Sequence, residues 1–101
     1  MCRILRISGE SLAPDYRHGD FVLVSKIPLL FRLPRPGEVI AFRQPGYGLL
    51  IKRVARLAPQ GGGLFVVGAQ PQSVDSRQFG EVLPGQVIGK VIWHIRRANL
   101  R

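Results

Sequence analysis

Thiols are nearly absent. Cys2 is the only cysteine among 101 residues, so no internal disulfide can form and a disulfide-stapled scaffold is excluded. A lone thiol fits a reducing compartment, and its position at the start of the chain marks it as incidental rather than reactive. Acidic residues are also scarce. Six Asp and Glu stand against fifteen Lys and Arg, for a formal charge of +9. Long apolar runs are missing as well. The longest, Ile27-Pro28-Leu29-Leu30-Phe31, falls far short of the ~18–20 residues that cross a bilayer as a helix. Ser8, Gly9 and Glu10 interrupt the N-terminus too early for a secretory signal. The expectation is a cytoplasmic protein. The Ile27–Phe31 run reads most plainly as a hydrophobic loop. Set between Lys26 and Arg32, it is also the segment placed to touch a membrane surface or a partner.

Helix signals are sparse too. Twelve glycines and eight prolines break the chain every few residues. Between them lie short β-branched runs with period-two alternation: Phe21–Lys26, Glu38–Arg43, Leu49–Leu57, Leu64–Val67 and Gln86–Ile95. Five or more short strands joined by turns predict an all-β fold with little helix, a small antiparallel barrel or sandwich. Pro36-Gly37 suits a tight turn, and Pro45-Gly46 and Gly61-Gly62-Gly63 read as hairpin tips. Only Ser11–Arg17 suggests a helical turn. The length fits one domain spanning 1–101, with residues 96–101 a basic, flexible tail. A hydrophobic share of 46% excludes a disordered chain.

Candidate chemistry starts from what could activate a nucleophile. The two histidines, His18 and His94, carry no carboxylate pattern that would make either an oriented triad member. Lysine is the other base, provided burial lowers its pKa. If Leu49–Leu57 is a strand, Leu50, Lys52 and Val54 share one face. Ile88, Lys90 and Ile92 share a face in the same way, so alternation alone does not choose between the two lysines. No His, Cys or carboxylate spacing suggests a metal site, and no cofactor is expected.

The order of several motifs separates the lysines. Gly9-Glu10-Ser11-Leu12-Ala13-Pro14 is followed by Gly19-Asp20 opening a strand. Then come Pro36–Phe42, Ile51-Lys52-Arg53-Val54, Ser73-Val74-Asp75-Ser76-Arg77-Gln78-Phe79-Gly80 and Gly89-Lys90-Val91. In this order the blocks resemble those of the serine–lysine peptidases of the signal peptidase I superfamily, and they cover residues 7–93. The resemblance implies the fold shared by signal peptidase and self-cleaving repressor catalytic domains. It also implies roles. Ser11 is the nucleophile, on a loop with Gly9 and Glu10, and its backbone N–H is an oxyanion donor. Lys52 is the general base, Ser73 orients the lysine amine, and Asp75 and Arg77 form a bracing salt bridge. Lys90 takes a structural place in the closing strand.

The pattern is not followed everywhere. Leu12 stands where the family has Met, a volume-conserving change. Gly68-Ala69-Gln70 replaces a Gly-Asp-Asn, which removes polar groups from that loop. No N-terminal membrane anchor of the kind ordinary signal peptidases carry is expected. The short, compactly spaced blocks resemble most closely the small anchorless maturation proteases of nickel-type superoxide dismutase. A protease of that kind removes an N-terminal extension from a precursor protein. Two alternatives stand beside this reading. One is a signal peptidase I acting on exported proteins, with peripheral membrane contact. The other is a basic β-barrel that binds nucleic acid without catalysis, disfavoured because the basic residues do not interleave with aromatics in one stripe.

Overall fold

The computed structural model describes residues 2–8, 12, 15–59, 62–70 and 73–96. Six strands form: β1 (Cys2–Arg6), β2 (Phe21–Ser25), β3 (Val39–Gln44), β4 (Gly48–Leu57), β5 (Leu64–Val67) and β6 (Val87–Ile95). All pair antiparallel in a single sheet ordered β1-β2-β6-β3-β4-β5. The expected all-β fold is therefore present, and each of the five periodic runs is a strand. The Ile4-Leu5 segment carries no clear alternation of its own, and β1 is not among the five runs read from the sequence.

Alternation along β3 sets the two cores. Ile40 and Phe42 point to one side and join Val54, Leu64, Val66, Val82 and Val87. Ala41 points to the other and joins Ile7, Val22 and Val24. Burial on both faces makes β3 the centre of the molecule and explains its unbroken apolar sequence Val39–Phe42. Phe42 and Ile40 are fully buried, and truncating either to Ala removes side-chain volume worth about 2–5 kcal/mol.

The turns follow from glycine. Gly37 at φ +93° and Gly46 at φ +84° occupy left-handed backbone that a side chain disfavours. They close the Arg35–Glu38 turn and the β3–β4 hairpin. Gly89 answers a different need. A Cβ there would lie 2.8 Å from the backbone of Ser25, so β6 packs against β2 only without a side chain.

Lys90 is structural. Its Nζ lies 2.6 Å from Glu38 Oε2, and Arg32 Nη2 lies 2.8 Å from the same oxygen. The Arg35 backbone N–H donates to Glu38 Oε1 at 2.7 Å. The hydrogen bond from Arg32, followed by the bonds from Lys90 and Arg35, holds the Glu38 carboxyl at a pKa of about 2.

Helix departs from expectation. The Ser11–Arg17 turn is present only as a Tyr16 N–H to Leu12 carbonyl bond at 3.0 Å, and its residues 11, 13 and 14 lie outside the described residues. Single turns occur instead at Ile27–Leu30, Ser76–Phe79 (α1) and Pro84–Gln86. The reason at α1 is a reciprocal cap. Asp75 accepts from the Arg77 backbone N–H, and Gln78 accepts from that of Asp75. The Ile27–Leu30 turn tucks Leu29 against the core and leaves Phe31, just beyond it, 89% exposed. Of the expected tail, only Arg96 is among the described residues.

Candidate active site

Lys52 lies on β4 between Leu50 and Val54, the face that alternation assigned to it. Leu50 packs against the larger core and Val54 belongs to it. Opposite Lys52 in the ladder is the fully buried Ile40. The lysine is left 5% exposed. Burial in this apolar setting lowers its pKa below the ordinary lysine value. The Asp75 carboxylate opposes that shift and the Arg77 guanidinium adds to it, both more weakly. Among the described residues Lys52 has no ion-pair partner. Lys90, matched to it by pattern, is ion-paired with Glu38, and so the structure separates the two lysines.

A cleft of about 350 Å3 opens beside Lys52. Its position follows from unequal strand lengths. β4 pairs with β3 along Gly48–Arg53 but with β5 only from Arg53 onward. The Leu49–Lys52 edge is therefore left uncovered by β5 and forms one wall. The end of β1 and the residues after it, Leu5–Ser8, form another, with Leu12 and Val74 closing the cleft. The buried Leu12 fills the position where the family pattern has Met. Gly9, Glu10 and Ser11 lie outside the described residues, but Ser8 before them and Leu12 after them both line this cleft.

The Ser73–Gly80 block is fastened to β5. Asp75 is fully buried and accepts four hydrogen bonds: from the Gly68 N–H at 2.9 Å, the Arg77 N–H at 3.0 Å, Arg77 Nε at 2.9 Å and Arg77 Nη2 at 2.7 Å. Burial alone would raise its pKa, but these donors, the Arg77 guanidinium first, outweigh it and hold the carboxyl at about 2. The expected Asp75–Arg77 ion pair is thus formed. Ser76 Oγ accepts from the Val66 N–H at 2.8 Å. Ser73 is buried, and its N–H donates to the Gln70 carbonyl at 3.1 Å. The altered Gly68–Gln70 loop is therefore tied at both ends by backbone groups, which any residue supplies.

One pair escaped sequence reading. His94 Nε2 lies 2.7 Å from Asp20 Oδ2, and the His94 ring stacks on Tyr16 at 4.4 Å. The partners are 74 positions apart, so only the β2–β6 pairing could have revealed them. Asp20 also accepts from the Arg17 N–H at 3.0 Å, the turn-capping role its position suggested. Neither His94 nor Asp20 lines the Lys52 cleft.

Among the described residues no His, Cys, Asp and Glu cluster could hold a metal ion. The chemistry the cleft can offer is that of a desolvated amine. The antiparallel sheet, with Lys52 buried beside a cleft, is the all-β arrangement the motif order led one to expect. Residues 1–92 match the Peptidase S24-like family, and the chain belongs to it. That membership supports a function of the serine peptidase or self-cleaving repressor type. No curated protein matches the sequence.

Proposed function

We propose that the protein is a serine endopeptidase in which Ser11 is the nucleophile and Lys52 the general base. The observation that carries this reading is the state of Lys52, 5% exposed in an apolar setting that lowers its pKa. A neutral amine can accept the hydroxyl proton, whereas an ammonium cannot. The position of Leu12, adjacent to Ser11 in the chain, on the same cleft supports Ser11 as its partner.

In this mechanism Lys52 takes the proton from Ser11 as its oxygen attacks the scissile carbonyl. The resulting oxyanion is met by the Ser11 backbone N–H, a contact worth about 3–4 kcal/mol in comparable sites. Lys52 then delivers the proton to the departing amine, and water hydrolyses the acyl-enzyme by the same route in reverse. Ser73 orients the amine. Asp75 and Arg77 brace the block that carries Ser73, and Gly9 and Glu10 shape the nucleophile loop. The substrate in this reading is the N-terminal extension of a precursor protein. A nickel-type superoxide dismutase precursor is the first candidate, on the motif resemblance described above.

Incubating the purified protein with that precursor and reading the product's new N-terminus by mass spectrometry tests the proposal. Ser11→Ala should abolish cleavage. Lys52→Arg should be nearly as damaging, because a guanidinium stays charged. Robust cleavage by Lys52→Arg would rule out Lys52 as the base.

A further inference from the structure

The chain on either side of Ser11 is tied to one largely buried cluster. The upstream side comes first. The β1–β2 ladder runs to the Arg6–Phe21 pair, and two further backbone bonds extend it to Ile7. The Ile7 N–H donates to the Asp20 carbonyl at 2.7 Å, and the Gly19 N–H donates to the Ile7 carbonyl at 2.9 Å. Ile7 is buried in the smaller core, and Ser8 follows it onto the wall of the Lys52 cleft. The downstream side is tied as well. Leu12 lines the same cleft, and its carbonyl accepts from the Tyr16 N–H at 3.0 Å. In sequence Ser11 therefore stands between two anchored flanks, ending at Ser8 and resuming at Leu12.

His94 joins the two anchors. Its Nε2 lies 2.7 Å from Asp20 Oδ2, and its ring stacks on Tyr16 with centroids 4.4 Å apart. A carboxylate only accepts, so Nε2 donates. Asp20 Oδ2 also accepts from the Arg17 N–H at 3.0 Å, and the Asp20 N–H donates back to the Arg17 carbonyl at 2.9 Å. One imidazole thus holds Asp20 by its edge and Tyr16 by its face. The His94 and Asp20 side chains are 18% and 6% exposed, and withdrawal from water strengthens such a bond. The tie from Asp15 of the same segment to Arg53 is exposed and contributes little. His94 is itself fixed by the sheet, opposite the fully buried Val22 in the β2–β6 ladder. Groups carried on a strand are held more precisely than groups carried on a loop. None of His94, Asp20 and Tyr16 lines the cleft.

We propose that His94, Asp20 and Tyr16 are positioning residues that hold both flanks of the nucleophile loop, and so the Ser11 hydroxyl, in register with Lys52. The inference rests on the assignment of Ser11 as the nucleophile. Reacting groups must be held at about 3–3.5 Å, and a misplacement of about 1 Å costs on the order of a hundredfold in rate.

The test pairs cleavage of the nickel-type superoxide dismutase precursor, with kcat and KM measured separately, with amide hydrogen exchange of the peptide spanning residues 8–12. His94→Leu should lower kcat about tenfold or more while KM stays within about twofold, and should speed exchange in that peptide. His94→Gln can present an amide N–H to Asp20 where Nε2 stood, and should restore most of kcat. Glu38→Gln weakens the fold from outside the cluster and should leave kcat and the loop exchange unchanged. Tyr16→Leu removes the stacked face and should act in the same direction as His94→Leu, so it decides the matter if His94→Leu does not fold. Trp93, which stands in one row with Leu23 and Ile4, is the only tryptophan, and its emission reports that each variant is folded. Unchanged kcat in folded His94→Leu or Tyr16→Leu overturns the proposal. So does an equal loss of kcat in Glu38→Gln, or unchanged loop exchange in His94→Leu. No cleavage by the unmodified protein, or undiminished cleavage by Ser11→Ala, would instead refute the Ser11 assignment. The exchange measurement needs no substrate and judges the cluster separately.

Discussion

Asp75→Asn tests how the Ser73–Gly80 block controls Lys52. The substitution keeps the shape of the side chain but removes its charge. Asp75 accepts four hydrogen bonds. An amide retains one acceptor oxygen and places an NH2 against donors that have nothing to accept it. Lowering a carboxyl pKa from 3.8 to about 2 corresponds to roughly 2 kcal/mol, at about 1.4 kcal/mol for each factor of ten. The Arg77 side chain is 52% exposed and can be solvated once released, which discounts the loss. Asp75→Asn should therefore destabilise the fold by about 1–2 kcal/mol at neutral pH, read from the urea midpoint. The sign of the pH dependence follows from the depressed pKa. The stabilisation is present above pH 3.8 and is lost as pH falls through about 2, so the gap between variant and unmodified protein closes in acid.

The second effect falls on the amine. Asp75 is the group that raises the Lys52 pKa against burial. Removing its charge should make Lys52 more acidic, and Arg77→Gln should move it the other way. Lysine labelled with 13C at Cε gives only three signals, from Lys26, Lys52 and Lys90, and a pH titration resolves the Lys52 midpoint. A midpoint that stays in place or rises in Asp75→Asn would refute the electrostatic account of the site.

Lys52→Met should abolish cleavage yet stabilise the fold, by about 1.4 kcal/mol for each pKa unit that burial has lowered the amine. Because the folded pKa lies below 10.5, that advantage should be greatest at neutral pH and shrink as pH rises toward 10.5, as urea melts across the range would show. Cleavage itself should increase with pH through the lowered Lys52 pKa, since only the neutral amine accepts a proton; a flat rate profile from mildly acidic to alkaline pH would count against the base assignment. Glu38→Gln should cost about 2–3 kcal/mol at pH 7, from a carboxyl held at about 2 instead of 4.5, with the difference disappearing as pH drops through about 2. Gly89→Ala forces a Cβ to 2.8 Å from Ser25 backbone and should lower the unfolding midpoint by the equivalent of about 1–3 kcal/mol.

Local pattern carried the strands, because a buried face imposes a period of two on the residues themselves. It also placed Lys52 between Leu50 and Val54. It could not rank Lys52 above Lys90, since that depends on Glu38 and Arg32 reaching across from other segments. The Asp75–Arg77 pair was expected from the motif resemblance rather than from local pattern. The His94–Asp20 contact and the apolar rows through Ile4, Leu23 and Trp93 were not. The first needs β2 and β6 in register and the second needs β1 as well, and register is a property of the folded sheet. The short turn at Ser76–Phe79 was missed because its stability comes from the Asp75–Gln78 cap rather than from a run of helix formers.

The strand order has a consequence for synthesis. Among the described residues, the β1–β2 and β3–β4–β5 ladders are joined only through β6, the last of the described strands to leave the ribosome. Until it emerges, the two walls of the Lys52 cleft belong to separate half-sheets. Under the proposed mechanism, a nascent chain would therefore carry Ser11 and Lys52 for some time without being able to use them. A peptide of the β6 sequence supplied to a chain truncated before Val87 would be the corresponding switch in the laboratory.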